Sequence, residues 1–141
     1  MKKSLFIVTL VVVVLVIAGC GSKSDSTVST GTPIKSVAVE NLTATLSSST
    51  GQLKRGEQEI TLAFSDSSGK PIDVGAVLLN FHMQQMGSMA AMTDTVTFTA
   101  TNTPGVYRGK VNIEVGGEWQ AQLAYEGPAG KGKTTFSVTA R

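Results

Sequence analysis

The chain has 141 residues, 16% of them charged, and a formal net charge of +2. Two of its twelve basic side chains are Lys2 and Lys3, and without them the balance is neutral, which argues against nucleic acid or any other polyphosphate as a partner. A single cysteine excludes an intramolecular disulfide, so stability has to come from packing, and the length suits one domain with one core.

The N-terminus carries Lys2 and Lys3, then an apolar run over residues 5–17 that ends in Leu15-Val16-Ile17-Ala18-Gly19-Cys20. This is the charged region and hydrophobic region of a secretory signal, and the run is shorter than the ~20 apolar residues a membrane-spanning helix needs. Its end resembles a bacterial lipobox, which implies a signal peptide over residues 1–19, cleavage before Cys20 and lipidation of the Cys20 sulfur. The mature chain is then expected to be an exported lipoprotein held to a membrane by acyl chains, each buried CH₂ contributing roughly 0.8 kcal/mol. Gly21 follows the cysteine where an inner-membrane retention signal resembles Asp. That points to the outer membrane in a diderm host and to the outer face of the plasma membrane in a monoderm. Residues 20–36 are rich in Ser, Thr and Gly, poor in bulky apolar side chains, and read as a flexible tether.

From Val37 the pattern is strand and turn. Residues 42–46 (LTATL) form a first short strand, and Ile60, Leu62 and Phe64 alternate with Thr61 and Ala63 in a second. Asp66-Ser67-Ser68-Gly69-Lys70-Pro71 is a turn cluster. Val77, Leu79, Phe81 and Met83 share one face of the next strand, and Leu78, Asn80 and His82 share the other. Thr95-Val96-Thr97-Phe98-Thr99 alternates likewise, and Thr103-Pro104-Gly105 turns the chain. Tyr107, Gly109, Val111 and Ile113 line a further strand, Val115-Gly116-Gly117 signals a hairpin, and Trp119, Ala121, Leu123 and Tyr125 line the strand after it. Gly127-Pro128-Ala129-Gly130 is the last turn, and Phe136 and Val138 point inward beyond it. Seven such segments predict an all-β fold over residues 37–141, a single antiparallel immunoglobulin-like β-sandwich of about seven strands, with Trp119 and Tyr125 as core and corner residues.

Four of the five methionines fall in the window His82-Met83-Gln84-Gln85-Met86-Gly87-Ser88-Met89-Ala90-Ala91-Met92, which opens on the sole histidine. Thioether sulfur is a soft, neutral donor that suits Cu(I), and imidazole also binds copper. Alternation places Met83 on the apolar face and His82 on the other. Gly87 and Ser88 should bend the chain and bring Met86, Met89 or Met92 back toward His82. The candidate metal set is therefore His82 with two of Met86, Met89 and Met92, and Met83 as a further member. The other reading of the same window is packing: methionine fills irregular gaps and builds adaptable apolar surfaces, and a three-residue spacing also fits one amphipathic helical turn. No Gly-x-Ser-x-Gly elbow accompanies the histidine, and Glu114 and Glu118 flank a Gly-Gly turn as exposed hairpin charges, so an enzyme is not expected.

Taken together, the Gly56 turn before residues 60–64 (ITLAF), Ser68-Gly69-Lys70-Pro71-Ile72, the Met83-x-x-Met86-x-x-Met89 stretch, Gly105-Val106-Tyr107-Arg108-Gly109 and Gly117-Glu118-Trp119 resemble the YtkA-like domain family, related to FixH-type proteins. The resemblance implies an exported β-sandwich linked to copper handling, with a copper pump or an oxidase assembly protein as partner. The chain departs from that pattern in having Gln84 and Gln85 where a proline is common between the methionines. Two functions follow from the reading. One is a membrane-anchored, non-catalytic protein that binds or transfers Cu(I) through the methionine loop. The other is a protein-interaction module of the cell envelope that uses the loop as an apolar contact surface.

Overall fold

A computed structural model describes residues 30–141. Cys20, the signal segment and most of the expected tether lie outside the described residues. Eight strands follow one another: β1 (Thr32–Val39), β2 (Leu42–Ser48), β3 (Gly56–Ser65), β4 (Ala76–Met83), β5 (Met92–Ala100), β6 (Val106–Ile113), β7 (Gly117–Gly127) and β8 (Gly130–Ala140). Among the described residues no helix is long and apolar enough to cross a membrane.

The strands form one antiparallel sheet in the order β1-β2-β3-β6-β5-β4-β7-β8. It curls through 287° about an axis and nearly closes into a barrel. This corrects the expected seven-strand immunoglobulin-like sandwich, which would need two separate sheets face to face. Each of β2 to β7 is hydrogen-bonded on both sides, so the chain never leaves the sheet to start a second one. The inside of the curl does what two facing layers would do in a sandwich. The seven segments expected as strands lie within β2 to β8. The added strand is β1, whose Thr32 to Ser36 half was expected in the tether and instead pairs with β2 from Thr32↔Ser48 onward.

Alternation explains the core. Leu46, Ile60, Leu62, Phe64, Leu79, Phe81, Ile113, Trp119 and Leu123 are all buried to 1% exposure or less, each on the inward parity of its strand. Full burial of an aliphatic or Phe side chain contributes about 1.5–3 kcal/mol. Phe64 sits at the centre, edge-on to Tyr107 at 5.9 Å and to Tyr125 at 5.5 Å between ring centroids. The Trp119 indole N–H donates to the Val115 carbonyl at 3.1 Å, so this large side chain is buried with its polar atom satisfied.

The loop from β3 to β4 is pinned to the barrel by Tyr107. Its hydroxyl donates to Asp73 Oδ1 at 2.8 Å and accepts the Val74 N–H at 3.1 Å. Beside it Gly105 has φ 77, and a Cβ there would stand 2.4 Å from the Ile72 carbonyl oxygen, so both conformation and space require glycine. The expected corner role thus falls to Tyr107, while Tyr125 is a core residue.

The two free edges, β1 and β8, face one another across the remaining gap. Their ends are joined through the loop after β2: the Arg141 N–H donates to the Leu53 carbonyl at 2.9 Å, and the Arg55 N–H donates to the Arg141 carbonyl at 3.0 Å. Pro33 and a register shift beside it roughen the β1 edge, which discourages pairing with other chains.

Candidate functional site

The methionine window is the β4–β5 hairpin. Its register runs from Leu78↔Thr97 to Met83↔Met92 and is kept beyond the strand ends at an isolated Met86↔Met89 bridge. There the two residues exchange both backbone bonds, Met86 N–H to the Met89 carbonyl at 3.2 Å and Met89 N–H to the Met86 carbonyl at 2.9 Å. Only Gly87 and Ser88 lie between. Gly87 has φ 58 and Ser88 does not have a positive φ, the pattern of a type II′ turn, which needs glycine first. The bend expected at Gly87 and Ser88 is this turn, and the segment between the strands is a hairpin tip, not a helical turn.

That geometry sorts the five candidate residues. Met86 and Met89 are a hydrogen-bonded cross-strand pair, so their side chains leave the same face with Cα atoms about 5.5 Å apart. They are 56% and 39% exposed, two of the three large apolar side chains standing in solvent among the described residues, Leu78 being the third. Met83 is 3% exposed, part of the core, with its methyl carbon 3.2 Å from where a Cβ on Gly117 would be. Met92, paired with Met83, is half-buried and packs on the same core. His82 shares the outward parity of Met86, but the two are four positions apart, about 13 Å along an extended backbone. Its Nδ1 is instead hydrogen-bonded to Thr93 Oγ1 at 3.1 Å. The fold therefore makes two methionine pairs on opposite faces, one exposed and one packed, and leaves His82 with Thr93. Among the described residues no three of His, Cys, Asp and Glu converge as metal ligands.

Sequence reasoning missed the crevice beside this hairpin. β5 pairs with β6 only from Thr97↔Lys110 to Ala100↔Tyr107, so below that point the two strands part. Asp94 bridges the opening by accepting the Asn112 N–H at 2.8 Å through Oδ2. The crevice, about 290 Å³, is lined by Met92, Thr93, Asp94, Asn112, Glu114 and Trp119 among others. It is at the lower limit of the ~300–1,000 Å³ usual for small-molecule pockets. A wider groove of about 770 Å³ runs over the outer face of β5 and β6 past Thr95, Thr97 and Thr99. Its charges are already engaged at the surface, Arg108 with Glu59 at 3.4 Å.

The perturbed ionisable groups lie away from the hairpin. Asp73 is held below the usual carboxylate range by the Gly75 N–H and then by the Tyr107 hydroxyl. Tyr107 is pushed up by burial and then by its bond to Asp73. Asp66 is lowered by the Ser68 hydroxyl and the Lys70 N–H inside its own turn. These are structural ties of loops to the barrel.

Compared with known families, residues 36–124, more than half of the chain, match the family model described as YtkA-like. No curated protein and no solved structure matches.

Proposed function

We propose, because this chain belongs to the YtkA-like family, that it acts as a protein-interaction module whose contact surface is the Met86/Met89 hairpin tip. As a member of that family it is a non-catalytic binding domain. One observation carries the choice of surface: two flexible apolar side chains are held side by side and exposed on a backbone-bonded turn, while the other two methionines are spent on the core. Methionine suits such a surface because its unbranched, polarisable chain adapts to different apolar partners. The lipobox-like end at Cys20 supports a position on the outside of a membrane, and the partner this reading calls for is another protein of the cell envelope.

The test is photocrosslinking in cells from a probe placed at Ser88, between the two methionines. A discrete adduct should survive Met86→Leu with Met89→Leu, which keeps bulk and apolarity. It should be lost with Met86→Gln and Met89→Gln. An adduct indifferent to the Gln pair overturns this reading.

A second reading rests on the same geometry. Two thioethers on one rung are two soft donors within reach of one ion, the chemistry that suits Cu(I). Anaerobic titration with Cu(I) against a competing chelator separates it from the first. Saturable one-to-one uptake that the Leu pair abolishes supports a metal site at Met86 and Met89. Uptake that persists in the Leu pair excludes it.

A further inference from the structure

We propose that Met86 and Met89 form a site of reversible oxidation by peroxide-class oxidants, at which the tip changes from apolar to polar while the barrel stays folded. The chemistry needs an exposed thioether and an oxidant. A sulfur lone pair attacks one peroxide oxygen, the O–O bond breaks, an S–O bond forms and water leaves. The sulfur loses two electrons and the peroxide gains them. Reduction by a sulfoxide reductase returns the thioether, with two thiols becoming a disulfide and the oxygen leaving as water.

The structure supplies the selectivity. Oxidation follows exposure, and the four methionines of the hairpin differ sharply in it: 56% for Met86 and 39% for Met89 against 3% for Met83, with Met92 half-buried on the core. Oxygen added at Met83 would have to enter the core beside Gly117, whereas oxygen added at the tip enters solvent. The turn itself is held by backbone bonds and by Gly87, so it does not depend on either thioether. Because both sulfurs leave the same face, oxidation puts two sulfoxide dipoles where the contact surface had two apolar chains. The consequence for binding rests on the interaction reading above, but the site does not.

The experiment treats the full-length chain with hydrogen peroxide and follows each methionine by peptide mass mapping, with Trp119 emission as the measure of fold. Met86 and Met89 should each gain one oxygen at least about tenfold faster than Met83. The emission should be unchanged, and the two sulfoxide reductases, one for each sulfur epimer, should restore both masses. The Met86→Leu/Met89→Leu chain should lose the fast phase and fold as before. Met83 reacting as fast as the tip, loss of fold in step with tip oxidation, or masses that the reductases do not restore would each overturn the proposal. Crosslinking from Ser88 before and after peroxide then separates the two ideas. If oxidation is selective and reversible but the adduct persists, the oxidation site stands and the interaction reading falls.

Discussion

Tyr107 shows how a single side chain can set the pH behaviour of a whole loop. Its hydroxyl joins Asp73 and the Val74 N–H, so Tyr107→Phe leaves one buried donor without a partner and takes one of two hydrogen bonds from the Asp73 carboxylate, which keeps the Gly75 N–H. The expected cost is about 1–3 kcal/mol in urea unfolding at neutral pH. The sign of its pH dependence follows from the two shifts. Asp73 is lowered in the fold, so its contribution is present above the unfolded value of about 3.9 and is lost as pH falls through the lower folded value. Tyr107 is raised, so its contribution is full below about pH 10 and is lost as pH rises through the higher folded value. The stability gap between wild type and Tyr107→Phe should be flat from about pH 5 to 9 and narrow at both extremes. A gap that keeps growing above pH 10 would show the assignment to be wrong. At this scale the sequence was readable in part. The inward parity of Met83 beside Leu79 and Phe81 follows from alternation alone. The bond from Tyr107 to Asp73 joins residues 34 positions apart, and no local pattern encodes it.

Two glycines separate what an element needs from what the barrel needs. Gly87 has φ 58 with nothing within 4 Å of a Cβ built on it, so Gly87→Val costs conformation and no clash. A left-handed β-branched residue costs roughly 1–2 kcal/mol, and the tip is outside the core, so the turn alone should loosen. Amide exchange at Met86 and Met89 should speed up about tenfold while the melting temperature hardly moves. Gly105 is the contrast. Its Cβ would lie 2.4 Å from a backbone oxygen of Ile72, so Gly105→Ala has to displace the β3–β4 loop and should lower the melting temperature of the whole domain. Equal effects from the two substitutions would mean that the tip and the barrel unfold as one unit. The hairpin also shows where reading by element stops. Glycine followed by serine signals a bend, but the pairing of Met86 with Met89 rests on a register that begins at Leu78↔Thr97, eight positions away on each side of the hairpin. A one-residue slip would turn these methionines inward and Met83 outward.

At the scale of the molecule, a sandwich and a barrel look alike in one dimension, because both bury every second residue of every strand. What distinguishes them is which strands pair, and the decisive pairs, β3 with β6 and β4 with β7, join strands distant in sequence. β1 escaped notice for a compositional reason: as an edge strand it buries little, and its Thr, Pro, Lys and Ser side chains are those of a linker. The same curl leaves β1 and β8 without a ladder between them, so the barrel is expected to open first at this seam, and Leu53 closes it in two ways. Its side chain is fully buried, and its carbonyl accepts the Arg141 N–H. Leu53→Ala keeps the backbone bond but opens a cavity under the seam, for an expected loss of about 2–5 kcal/mol. Arg55 is the control for the neighbouring bond, since the donor to Arg141 is its backbone and not its guanidinium. Arg55→Ala should therefore change stability by less than about 0.5 kcal/mol, whereas Arg55→Pro removes the donor and should cost roughly 1 kcal/mol or more. Hydrogen exchange locates the effect. In Leu53→Ala the Arg55 and Arg141 amides should lose protection before those of β3 and β6, as a barrel opening from its seam requires. Simultaneous loss in all four places would mean that the seam is no weaker than the rest of the sheet.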